Sequence, residues 1–212
     1  MSLTRNAFRR SIAAIFATLA LALAASAQEQ PQDFSRIKIK NFGQMDERFF
    51  RGAEPKKDAD FAALKSLGIR TVIDLQAAAD PAERARVEAL GMRYVNIPME
   101  ERTYPTDGEV AAFLKTVDDP ATGKFFLHCA GGRHRTGAMG AVYRFTKYGW
   151  DYDRVYGEMK QFDFYTRFGH GDYKKFVENY WAAIQSGAIQ VAAPAATTAV
   201  SAAAATPGNQ HQ

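Results

Sequence analysis

Between Phe49 and Thr136, apolar runs of strand length alternate with stretches whose apolar positions recur every three or four residues. Phe49-Phe50-Arg51-Gly52 reads as a short strand leaving into a loop. Asp58 to Leu67 puts Phe61, Leu64 and Leu67 on one helical face, and Gly68 suits the helix exit. Thr71-Val72-Ile73-Asp74-Leu75 is β-branched and apolar, which predicts a buried strand, and Pro81 next opens a helix that Gly91 closes. A third strand runs from Arg93 to Ile97 and is expected to stop at Pro98. Asp107 to Val117 turns Val110, Phe113, Leu114 and Val117 to one side of a helix, and the strand Lys124 to His128 delivers Cys129 to its end. Thr136 to Tyr148 predicts a buried helix, because Gly137, Ala138, Gly140 and Ala141 permit close packing. Two more helices are expected around Asp151 to Lys160 and Asp172 to Ser186, with Asp151 and Asp172 as their N-caps. The alternation implies an α/β fold with a central, mostly parallel sheet flanked by helices.

The two ends of the 212-residue chain follow other rules. Arg5, Arg9 and Arg10 precede an apolar run from Ile12 to about Ala25 and then the small-residue pattern Ala25-Ser26-Ala27, which reads as a secretory signal peptide over residues 1–27. The run is short and alanine-rich for a membrane span, so no stable anchor is expected after cleavage. Residues 28–44 are expected to form an N-terminal extension, 45–186 the folded domain, and 187–212, rich in Ala, Thr, Pro and Ser, a disordered tail. The signal segment has three arginines and no acidic residue, so the net charge of +4 falls to +1 over residues 28–212. The basic balance is then mostly an export signal, and nucleic-acid binding loses its support. The expected location is the periplasm or the exterior, and the pattern specifies no oligomeric state.

Cys129 is the single cysteine, so no disulfide staples the fold, and an unpaired thiol in an oxidising compartment needs a chemical reason. The reason lies in the run His128-Cys129-Ala130-Gly131-Gly132-Arg133-His134-Arg135-Thr136-Gly137. A strand ending in cysteine, a glycine-bearing turn and a helix can aim several backbone N–H groups at one anion. The amides of Ala130, Gly131, Gly132, Arg133, His134 and Arg135 would surround a phosphate, with the planar fork of Arg135 holding two of its oxygens. The same surroundings lower a thiol's pKa, so Cys129 is expected as a thiolate nucleophile, with Thr136 donating to the sulfur. His128 is expected to orient the loop through its ring, and Gly137 to permit close approach. The reaction needs neither metal nor cofactor, and a cradle beside Arg133, Arg135 and Arg51 is a poor place for a cation, which sets aside His128, Cys129, His134 and His170 as metal ligands. Arg51 with Lys56 or Lys57 is expected at the pocket rim. The aromatic run Phe162 to Phe168 is read as core filling rather than a substrate surface.

The string His-Cys, five residues, Arg-Thr-Gly resembles the active-site loop of cysteine-dependent protein tyrosine and dual-specificity phosphatases. Phe50-Arg51-Gly52-Ala53-Glu54-Pro55 and Leu67 to Leu75 are similar to the N-terminal part of compact dual-specificity-like enzymes, so the likeness covers residues 45 to 165. The resemblance implies a dual-specificity-phosphatase-like fold and a phosphocysteine intermediate. Arg133-His134-Arg135-Thr136-Gly137 also resembles the plant and fungal atypical branch, some of whose members act on inositol pyrophosphates. It further implies a general acid about 30 residues before the cysteine. This chain has no Trp-Pro-Asp there; Glu101 is favoured, with Asp107 next and Glu100 third. The substrate is expected to be a phosphorylated protein, with an inositol polyphosphate or pyrophosphate as the alternative. A non-catalytic phosphate-binding module is the reading from another class, against which the intact Cys129, Arg135 and Thr136 argue.

Overall fold

A computed structural model describes residues 34–191. The signal segment 1–27 and most of the expected tail lie outside the described residues. Among the described residues no helix is long and apolar enough to cross a membrane. Five strands form one sheet: β1 (Gly43–Gln44), β2 (Phe49–Ala53), β3 (Thr71–Gln76), β4 (Arg93–Met99) and β5 (Phe125–Cys129). Among the described residues six α-helices accompany them: α1 (Asp58–Ser66), α2 (Pro81–Ala89), α3 (Asp107–Asp118), α4 (His134–Tyr148), α5 (Tyr152–Gln161) and α6 (Gly171–Gln185). The strand order is β1-β2-β5-β3-β4, with only β1 antiparallel to its neighbour. The mostly parallel sheet expected from the alternation is therefore present, and its first strand lies within the 28–44 segment.

Because side chains alternate across a strand, β5 divides its residues between two layers. Phe125, Leu127 and Cys129 join the main core with Phe49, Ile73, Leu75 and the buried faces of α3, α4 and α6. Phe126 and His128 point the other way, and His128 meets Glu83 of α2 there. All five residues of β5 are buried, as a central parallel strand requires. The layer that packs on Cys129 is led by α4, whose first twelve residues are all buried.

Several expectations change in detail. β4 continues through Pro98 to Met99, because β4 is an edge strand and a proline without an N–H is tolerated there. α4 begins at His134, two residues earlier than expected, so the arginine and threonine of the loop belong to its first turn. Asp151 caps α5 by accepting from the Arg154 amide, as its position suggested. Asp172 does not cap α6: His170 holds that place and Asp172 sits in the first turn, where its charge still suits the helix dipole. α3 has a true capping box, in which the Thr106 hydroxyl accepts from the Glu109 amide and Glu109 accepts from the Thr106 amide. Gly187, at φ +77°, ends α6, and Ile189 packs back against the core.

Candidate active site

Cys129 stands at the carboxyl end of the central strand, where β2 and β3 part to either side, which is where open parallel sheets form their crevices. The loop that follows is pressed against the end of β2. Gly132 has φ +65°, and a Cβ there would lie 2.5 Å from the Ala53 nitrogen and the Gly52 oxygen, so only glycine fits. Gly131 is different, since a Cβ there would meet nothing closer than the Arg133 side chain at 3.8 Å. Gly137 is not the close approach expected of it, since a Cβ there would make only ordinary contact with Met159 of α5 at 3.4 Å.

Two side chains from before and within β2 brace the loop from outside. Asn41 Nδ2 donates to the Gly131 carbonyl at 2.8 Å, and Arg51 Nη2 donates to the Gly132 carbonyl at 2.7 Å. With these carbonyls engaged, the Gly131 and Thr136 amides act on the Cys129 sulfur. Arg51 is thus not at the rim: it is 1% exposed, stacked over Phe162 at 4.1 Å, and burial lowers its pKa to about 10. Lys56 is exposed, and its ammonium pairs with Glu54 at 2.5 Å.

Burial alone would push the Cys129 thiol up. The Thr136 hydroxyl and amide, then the Arg135 guanidinium, then the Gly131 amide more than reverse this and hold it below its ordinary value. The Thr136 hydroxyl is buried and, among the described residues, meets no other hydrogen-bond partner. Arg135 is also buried, and its Nη1 donates to the carbonyls of Met99 at 3.0 Å and Leu75 at 3.3 Å, the ends of β4 and β3. Anchored by one nitrogen, the guanidinium keeps a fixed orientation beside the sulfur.

The neighbouring basic residues of the loop are occupied differently. Arg133 pairs with Asp163 at 3.4 Å, and His134 Nε2 is 3.0 Å from the Tyr165 carbonyl, so both side chains are engaged by the Asp163–Tyr165 segment. Burial, then His170, brings the His134 pKa down to about 4. Its ring lies among Phe164, Tyr165, His170 and Tyr173. The aromatic run is therefore split: Phe164 is core, while Phe168 is 73% exposed.

His128 does not reach the loop with its ring, contrary to expectation, because strand alternation sends it to the opposite face from Cys129. Its Nε2 lies 2.9 Å from Glu83, and Nδ1 lies 3.8 Å from Asp74. Burial works against protonation, but the Glu83 contact and charge, helped by Asp74 and Cys129, raise the His128 pKa above its usual value. Asp74 also accepts from the Tyr94 hydroxyl at 2.7 Å and the Gln76 amide at 2.8 Å. Asp74, Glu83 and His128 offer ligand atoms within 4.8 Å of one another. The two carboxylates approach different ring nitrogens, which suits a charged imidazolium set between two acids.

The three carboxylates named from sequence as candidate acids fall in different places. Glu101 lies on the turn after β4, and its charge is felt by Tyr173 and His170; Tyr173 in turn feels Cys129 and Arg135. Asp107 begins α3, is exposed, and acts on Tyr180. Glu100 is exposed, and its carbonyl accepts from Tyr173. Sequence reading missed Asn41, Glu83 and Tyr173; nothing local distinguishes them, since each meets its partner only across a large separation in the chain.

The family model described as DSP-PTPase phosphatase fused to NAD+ kinase matches residues 29–178. Among solved structures, TpbA of P. aeruginosa is 27% identical with a TM-score of 0.57, over 66% of this chain and 84% of that one. TpbA as a cysteine-to-serine variant in complex with phosphotyrosine aligns at 24% identity and TM-score 0.57, over 76% and 100% of the two chains. The catalytic core of the S. cerevisiae PP-IP phosphatase SIW14 aligns at 21% identity and TM-score 0.58, over 72% and 96%. The last two likenesses speak for the fold.

Proposed function

Since the chain belongs to the cysteine-dependent dual-specificity-like phosphatases, a family of phosphoric monoester hydrolases, we propose that it is exported and hydrolyses aryl phosphates, phosphotyrosine in proteins above all, through a phosphocysteine on Cys129. The observation that carries this reading is geometric: buried Cys129 ends the central strand, and buried Arg135, in the first turn of the next helix, is anchored on the Leu75 and Met99 carbonyls at the same sheet end. The thiolate attacks phosphorus in line, the bond to the leaving oxygen breaks, and the Glu101 carboxyl gives that oxygen its proton. Arg135 and the loop amides carry the charge on the equatorial oxygens. Water then attacks the phosphocysteine, the Glu101 carboxylate accepts its proton, and the sulfur leaves as a thiolate stabilised by Thr136. An aryl group has surfaces to lie against: Tyr165 packs on His134 and Arg133, and the exposed Phe168 packs on Tyr165. Export rests on the Arg5 to Ala27 segment.

The test compares the full chain with Cys129→Ser on p-nitrophenyl phosphate, a phosphotyrosine peptide and an inositol polyphosphate, with acid quench and mass analysis of the phosphoenzyme. The expected result is phosphate on Cys129, loss of turnover in the serine variant, and the peptide as the better natural substrate. Turnover that survives the serine change would overturn the mechanism, and preference for the inositol ester would overturn the substrate.

A further inference from the structure

Tyr173, in the first turn of α6, is 1% exposed, yet its hydroxyl is fully employed. It donates to the Glu100 carbonyl and accepts from the Arg102 amide, each at 3.2 Å, so it grips the backbone on both sides of Glu101. The same ring stacks on His134, the first residue of α4, at 5.8 Å and 20° between planes. One rigid side chain therefore links the turn that carries Glu101 to the helix that carries Arg135 and Thr136.

The turn needs such a grip. Arg102 has φ +60°, a conformation unfavourable for a non-glycine residue that persists only when its surroundings impose it. Its side chain packs over Gly169, just before α6, at 3.1 Å from the point a Cβ would occupy. On the other side, the Met99 carbonyl is held by Arg135. With Met99, Glu100 and Arg102 tied, the Glu101 backbone has no freedom of its own, and the carboxyl can only swing by its side-chain torsions.

Resting on the reading of Glu101 as proton donor, we propose that Tyr173 is a positioning residue for phosphoryl transfer: its hydroxyl holds the Glu100–Arg102 backbone so that Glu101 meets the leaving oxygen. Tyr173 itself touches no reacting atom. A proton donor matters most when the leaving oxygen is basic, so the dependence of rate on leaving group separates positioning from mere packing.

The experiment measures kcat/KM, which reports transfer to Cys129, for the full chain, Tyr173→Phe and Glu101→Gln over a series from p-nitrophenyl phosphate to phenyl phosphate. Glu101→Gln is expected to lose about 100-fold on phenyl phosphate and far less on the nitro ester. Tyr173→Phe keeps the ring stack and is expected to lose about tenfold on phenyl phosphate with less than about twofold on the nitro ester, since a displaced group costs up to about 100-fold. A steep slope in Glu101→Gln with a wild-type slope in Tyr173→Phe would sink the positioning role alone. An equal loss on every ester in Tyr173→Phe would mean packing only, and would also overturn it. A wild-type slope in Glu101→Gln would remove the acid reading and the inference with it.

Discussion

Replacing Gly132 by alanine asks whether the loop owes its shape to the end of β2. The added Cβ has no room: it would stand 2.5 Å from the Ala53 nitrogen and the Gly52 oxygen, backbone atoms of a strand paired with both β1 and β5. Two costs combine. Holding a non-glycine residue at φ +65° takes about 1–2 kcal/mol, and forcing atoms into a filled space takes about 1–3 kcal/mol more. A loss of about 2–5 kcal/mol is a large part of the roughly 5–15 kcal/mol of a typical domain. If the loop yields instead, the Gly132 carbonyl leaves Arg51, and the amides around Cys129 lose their aim. Urea unfolding and kcat/KM on p-nitrophenyl phosphate, with Gly131→Ala as the control, decide the matter. Gly131→Ala has open space and an ordinary backbone, so it should stay within about 1 kcal/mol of wild type. Equal stability and activity in both variants would refute the claim that the end of β2 shapes the loop.

Other outcomes follow from the same contacts. Thr136→Val removes the hydroxyl that favours the thiolate. The pH at which iodoacetamide alkylates Cys129 should rise, and hydrolysis of the phosphocysteine should slow by about tenfold or more, as a hydrogen bond to a charged group is worth about 1.5–3 kcal/mol; an unchanged alkylation profile would count against the contact. His134 is held neutral down to about pH 4, while the unfolded chain binds the proton near 6.5, so the folded state loses stability as pH falls between these values. After allowance for screening of a partly buried ring the loss is roughly 1–3 kcal/mol. His134→Gln, compared with wild type by urea unfolding at pH 7 and pH 5, should show a smaller acid loss, and an equal one would contradict the assignment.

The order of strands and helices was legible because each apolar stripe is local: Phe61 and Leu64 find the sheet through their own helix, as do Val110, Phe113 and Val117. The candidate nucleophile and its arginine were legible for a similar reason, since Cys129 to Thr136 is one continuous segment whose spacing already implies a cradle. Long-range polar pairing was not legible. Arg51 looks like any surface arginine until the Gly132 carbonyl arrives from 81 residues away. Glu83 lies in a helix that reads Pro-Ala-Glu-Arg-Ala-Arg-Val-Glu-Ala, and no periodicity says which of its charges turns inward to His128. The misassigned cap at Asp172 has a local cause: Gly169, at φ +84°, and His170 start the helix through backbone geometry, without the side-chain bond that usually marks an N-cap.

The position of β5 makes turnover a report on how far the chain has folded. It is the last strand in sequence and yet the middle one in the sheet, lying between β2 and β3. Until it inserts, those two strands have open edges facing each other and no shared partner, a template for pairing with other chains. Pairing of β5 with both neighbours closes these edges and sets Cys129 at the crevice together, through contacts far apart in sequence and hence slow to form. A chain that has collapsed without that insertion carries every residue of the loop and none of its chemistry. Activity per molecule, followed during refolding, should rise with the last phase of sheet formation and not with the earlier gain of helix.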